Sequence, residues 1–109
     1  MLTDLKDPLE ILLIDDDEVD RMALKRALKT TSFTLVVTEV VDADTALTQI
    51  NNPQLSCIFL DYNLPGKNGL ELIKQIRILG ISVPIIVLTG QRDEQTAVEL
   101  MKAGASDYL

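Results

Sequence analysis

Ile11-Leu12-Leu13-Ile14-Asp15-Asp16-Asp17 is a compact apolar run that stops abruptly on three acids. Such a short, uniformly apolar run fits a strand buried on both faces. Helix-period residues follow at once: Val19, Met22, Ala23 and Ala27 recur at i, i+3, i+4 and i+8 over residues 18–30, which predicts a helix with that face inward. The alternation then repeats. Residues 33–38 (FTLVVT) are β-branched and aromatic, hence a second strand. Asp42 can cap a helix over 42–51 with Ala43, Ala46, Leu47 and Ile50 inward, ended by Asn52-Pro53. Residues 55–60 (LSCIFL) form a third strand running into Asp61, and the turn residues of Leu64-Pro65-Gly66-Lys67-Asn68-Gly69 make a loop. Leu72, Ile73, Ile76 and Leu79 mark a helix closing at Gly80. Residues 83–88 form a fourth strand with Pro84 at its start, where proline is tolerated. A helix over 93–103 has Ala97, Leu100 and Met101 on one face and stops at Gly104. Residues 106–109 open a fifth strand.

Apolar strands alternating with amphipathic helices predict an α/β fold: a doubly wound, five-stranded parallel sheet with helices on both faces. The 109 residues fit a single domain, 1–109, at the usual domain size of about 100–150 residues. An apolar fraction of 47% supports a packed core and argues against disorder. Ten Lys+Arg against 17 Asp+Glu leave a net charge of −7, which argues against sequence-independent binding of nucleic acid. With one cysteine, Cys57, there is no internal disulfide framework, in keeping with a reducing cytoplasm. With no histidine, every mechanism built on a histidine base or a histidine metal ligand falls. The first ten residues, MLTDLKDPLE, do not resemble a secretory signal, and the apolar runs are far short of the ~20 residues that span a bilayer. A soluble cytoplasmic domain with no membrane partner is expected.

In open α/β sheets the ligand sits beyond the carboxyl ends of the strands, where the strand order reverses. Asp15, Asp16 and Asp17 follow strand one, Asp61 follows strand three, and Thr89-Gly90 follow strand four. In a flavodoxin-like order 2-1-3-4-5, strands one and three are neighbours and these groups share one rim. At about 4 Å and an effective dielectric of about 20, each like-charge pair there repels by about 4 kcal/mol. A hard divalent cation removes that repulsion, and Mg²⁺ suits an all-oxygen site shared between carboxylates, water and phosphate. Asp17 and Glu18 read instead as solvated acids at a helix N-terminus. Asp61 ends a buried strand, faces a second acidic group and precedes a loop, so it can serve as a nucleophile that forms an acyl phosphate. Thr89 can donate its hydroxyl to a phosphoryl oxygen, or cap the next helix.

The set Asp15-Asp16, Asp61 with Asn63 and Pro65, Gly69, Pro84, Thr89-Gly90 and Ala103-Gly104-Ala105-Ser106-Asp107-Tyr108 resembles the receiver domain of two-component response regulators. The resemblance runs from about Leu9 to Leu109. It implies that Asp61 takes a phosphoryl group from a phosphohistidine on a partner histidine kinase or phosphotransfer protein. It implies that Mg²⁺ is held by Asp16 directly, by Asp15 mostly through water, by Asp61, and by the main-chain carbonyl of Asn63. It further implies that Thr89 bonds the phosphoryl group while Tyr108 changes rotamer with it, signalling to an output domain or effector protein. The domain would be a switch that assists its own phosphorylation and dephosphorylation, not an enzyme with a substrate of its own.

The family pattern continues with one further residue, a Lys-Pro pair and a fifth helix. This sequence stops at Leu109, so the fifth helix and that lysine are expected to be missing, as in a fragment or a shortened receiver. Neither Lys67 nor Lys102 is placed to substitute. Three alternatives stand beside this reading. A Mg²⁺-dependent phosphohydrolase with Asp61 as nucleophile would need an acid/base at position 63, where the haloacid-dehalogenase-type pattern has an aspartate and this chain has Asn63. A flavodoxin-like FMN binder would need a Ser/Thr/Gly-rich phosphate loop where Asp15-Asp16-Asp17 stand. A receiver-like interaction scaffold would not signal by phosphate at all.

Overall fold

The structure, a computed structural model, describes residues 8–89 and 94–109. Its elements in chain order are β1 (Leu9–Ile14), α1 (Glu18–Leu28), β2 (Leu35–Val40), α2 (Ala43–Gln49), β3 (Leu55–Asp61), α3 (Gly69–Ile78), β4 (Ile85–Leu88), α4 (Glu94–Ala103) and β5 (Asp107–Tyr108). The five strands form one parallel sheet in the order β2-β1-β3-β4-β5. The expected α/β architecture and strand order are therefore present. Gly90 and Asp93, assigned from sequence to the turn after β4 and the start of the fourth helix, lie outside the described residues.

The strand alternation sorts the core into two layers. Leu12, Ile14, Ile58, Leu60, Ile85 and Val87 face α2, α3 and α4, which contribute Ala43, Ala46, Leu72, Ile73, Ile76 and Leu100. On the other face Ile11, Leu13 and Phe59 pack with Leu24 and Leu28 of α1. Side chains buried on both faces explain why the strands read as continuous apolar runs.

The inward stripe of α1 corrects the sequence reading. Val19 is 71% exposed and Met22 49% exposed, while Ala23 and Ala27 also lie at the surface. Leu24 and Leu28 face the sheet, flanked on the same stripe by Arg21 and Lys25. Leucine buries more apolar area than alanine, and the long stems of Arg and Lys can lie over the sheet while their charges reach the edge. In α4, Ala97 and Leu100 are buried as expected, but Met101 lies exposed on the flank. Ile11 and Leu13 are buried under α1.

Local signals set the element ends. Asp17 caps α1 by accepting from the Val19 N–H at 2.9 Å, and Asp42 caps α2 by accepting from the Thr45 N–H at 2.7 Å. The β4 ladder starts at Ile85 because Pro84 has no N–H to give, although its carbonyl accepts from Ile58 at 2.9 Å. Gly104 ends α4 with φ +121°, and there the Arg77 guanidinium donates to its carbonyl from Nε at 3.0 Å and Nη2 at 2.7 Å. The same guanidinium donates to the carbonyls of Ile81 and Val83 at 2.9 and 2.8 Å, so one side chain ties α3 to the turns before β4 and β5.

Candidate functional site

The two strands that carry the acids lie side by side, with Ile14 opposite Leu60. Each next residue, Asp15 and Asp61, therefore emerges at the same rim of the sheet. Asp15 is 3% exposed. Its N–H still bonds Val40 at 3.0 Å, and its Oδ1 accepts from the Asp17 N–H at 2.9 Å. Asp16 is exposed and Asp61 half-buried, with Asp61 Oδ1 accepting from the Asn63 N–H at 3.2 Å. Among the described residues, one carboxylate oxygen each from Asp15, Asp16 and Asp61 lies within 4.8 Å of the others.

A cleft of about 650 Å³ opens over these acids, with Asn63 and Thr89 also on its wall. Thr89 is buried. Its N–H donates to the Leu109 carbonyl at 2.9 Å and its hydroxyl to the same oxygen at 3.3 Å. The structure thus brings Asp15, Asp16, Asp61, Asn63 and Thr89 together, as the sequence reading expected. Tyr108 does not line this cleft; it lies on the edge strand β5, 39% exposed. Lys67 donates to Gln75 on α3, which anchors the loop after β3 and keeps its ammonium off the acids.

Burial pushes the Asp15 carboxyl up from 3.8 to about 6; the Asp17 N–H opposes this, and the charges of Asp61, Asp20 and Asp16 add to it. Asp61 is raised for the same reason, burial first, opposed by the Asn63 N–H and reinforced by Asp16 and Asp20. The charges that raise these two carboxylates are those of neighbouring acids. That is the donor set a hard divalent cation fits: oxygen only, net negative, and open to water and a phosphoryl oxygen on one side. Asp20 is the member that sequence reasoning missed. Its signal was its place three residues after the cap Asp17, in the first turn of α1 at the lip of the cleft.

Comparison with known proteins agrees with this geometry. A family model described as "Response regulator receiver domain" matches residues 11–109. The chain is 35% identical over 102 residues to "Response regulator MprA" from Mycobacterium sp. (strain KMS), covering 94% of this chain and 44% of that protein. The chain thus spans less than half the length of that relative. The receiver domain of the Francisella response regulator 1452 superposes with a TM-score of 0.82 at 28% identity, covering 94% of this chain and 83% of that one. A response regulator protein from Burkholderia pseudomallei, solved with a phosphorylated aspartic acid, calcium ion and citrate, superposes with a TM-score of 0.78 at 34% identity. That likeness covers 93% of this chain and 58% of the other.

Proposed function

Because this chain belongs to the response regulator receiver domain family, we propose that it is a phosphoacceptor switch in which Asp61 accepts a phosphoryl group from the phosphohistidine of a partner histidine kinase or phosphotransfer protein. The observation that carries this reading is the convergence of Asp15, Asp16 and Asp61 on one open cleft. The phosphorylated aspartate and calcium ion of the Burkholderia protein support it by likeness.

The residues divide the work as follows. Asp61 Oδ1 is steadied by the Asn63 N–H, which orients the carboxylate for in-line attack on phosphorus. The new bond is oxygen to phosphorus; the bond that breaks is histidine nitrogen to phosphorus, its electron pair stays on the imidazole, and that nitrogen takes up a proton from water. Asp15, Asp16, Asp61 and the main-chain carbonyl of Asn63 would hold Mg²⁺, which supplies charge neutralisation between the acids and the incoming phosphoryl oxygens. Thr89 donates to a phosphoryl oxygen once its hydroxyl leaves the Leu109 carbonyl. That exchange couples the site to the end of β5 and to the Tyr108 rotamer, since Thr89 and Leu109 share two hydrogen bonds. The domain is a signalling module that assists its own phosphorylation and dephosphorylation, passes its state to an output domain or effector protein, and works in the cytoplasm. Among the described residues, no helix is long and apolar enough to cross a membrane.

The test uses a small acyl-phosphate donor with Mg²⁺. The expected product is a single hydroxylamine-labile phosphoryl group that is absent in Asp61→Asn. A hydroxylamine-stable phosphate mapped to Thr89 or Ser106 would reject the assignment.

A further inference from the structure

Among the described residues, the cation Arg21 reaches the acidic rim from behind. Its Nη1 donates to the Asp15 main-chain carbonyl at 2.8 Å, while its Nε bonds Glu39 Oε1 at 2.9 Å. The guanidinium is largely buried, with its side chain 14% exposed. Glu39 is itself held by Lys25, whose Nζ lies 2.7 Å from Oε2. Glu39 also precedes Val40, whose carbonyl takes the Asp15 N–H. The edge strand β2 therefore grips both sides of the Asp15 peptide unit: the N–H through Val40 directly, the carbonyl through Glu39 and Arg21. The Asp17 N–H then fixes the Asp15 carboxylate.

From this chain of contacts we infer that Arg21, aimed by Glu39, is a positioning residue that sets the acids of the β1–α1 turn for divalent-cation binding. The inference rests on the metal reading of the site. A planar fork is suited to this role because two of its N–H groups point in fixed, different directions, so the Glu39 carboxylate dictates where Nη1 lies. Lysine, with a single ammonium on a flexible stem, cannot span both acceptors in that way. The role also runs against simple electrostatics. A positive charge behind a cation site repels the cation, so Arg21 can favour binding only by holding geometry.

That opposition of sign supplies the test. Mg²⁺ is titrated calorimetrically into the full 109-residue chain and into Arg21→Met, Arg21→Lys and Glu39→Gln, and each is melted with and without Mg²⁺. Arg21→Met should weaken Mg²⁺ binding about tenfold, the scale on which groups that orient metal ligands act, despite the loss of a repelling charge. Arg21→Lys should weaken it comparably, and Glu39→Gln less but in the same direction. The Mg²⁺-induced rise in melting temperature should shrink in all three, beyond any fall shared by the metal-free proteins. Tighter or unchanged Mg²⁺ binding in Arg21→Met, or full affinity in Arg21→Lys, would overturn the inference and leave the metal site standing. No Mg²⁺ binding by the unmodified chain would overturn both.

Discussion

Replacing Asp15 by asparagine should stabilise the metal-free protein, and the gain should depend on pH in one direction. Asp15 is 3% exposed, and its carboxyl is pushed from 3.8 to about 6, with burial the leading cause. At about 1.4 kcal/mol for each pH unit between those values, the ionised form is disfavoured in the folded state by about 3 kcal/mol. An acid whose folded value is raised binds its proton more tightly folded than unfolded. The penalty is therefore fully present above about pH 6, shrinks as pH falls towards 3.8, and is absent below that. The asparagine side chain is close to isosteric with aspartate, and its oxygen can still accept from the Asp17 N–H, so the substitution removes the charge and keeps the turn. In a chelator at about pH 7.5 the variant should be more stable by up to about 3 kcal/mol, or about 10 °C in Tm for a domain of this size. The measurement is paired thermal and urea melts of both proteins from about pH 4 to 8. The gap should close near about pH 4, and Mg²⁺ should narrow it at about pH 7.5 by stabilising the unmodified chain more than the variant, which lacks one acid of the site. A variant equal to or less stable than the parent at neutral pH without metal, or a gap that persists in acid, refutes the reasoning.

Three substitutions probe the frame around the site. Gly69→Ala should cost about 1–3 kcal/mol in urea melts, because its Cβ would stand 2.9 Å from the Tyr62 Cα and 3.2 Å from the Tyr62 carbonyl oxygen, both unyielding backbone. Arg77→Met should lose about 1–3 kcal/mol, since it strips the part-buried Gly104, Ile81 and Val83 carbonyls of their shared donor. Asp17→Ala should lose about 1 kcal/mol with the α1 cap, yet Mg²⁺ affinity measured by calorimetry should stay within about twofold, because its carboxylate serves the helix and not the cluster. An Asp17→Ala protein that no longer binds Mg²⁺ would put Asp17 in the site.

The strands were legible because a parallel sheet covered on both faces demands unbroken apolar runs, and Ile11–Ile14 and residues 57–60 supply them. Where each run stops on an acid, the rule that ligands sit beyond strand ends placed the site. The cap Asp42 was legible for a similar reason, since a cap bonds an N–H only two or three residues away, whereas Asp17 was legible only as an acid at a helix N-terminus. Helix faces were less so. The 3.6 period of α1 is satisfied equally by the stripe through Val19, Met22 and Ala23 and by the stripe through Arg21, Leu24, Lys25 and Leu28. Only the presence of Ile11, Leu13, Phe59 and Glu39 opposite decides for the second.

The sequence by itself determined the element order, the two acid-tipped strands and the residue types that can meet a cation, because these are properties of short segments and of what each side chain can donate or accept. Tertiary structure alone decided that Asp15 is the acid whose burial raises its carboxyl to about 6, that Asp20 adds its charge from α1, and that Arg21 braces Asp15 through Glu39 on the edge strand. Burial, charge summation and a fork spanning two elements all depend on distances between residues far apart in the chain, and those distances exist only once β2, β1 and β3 lie side by side.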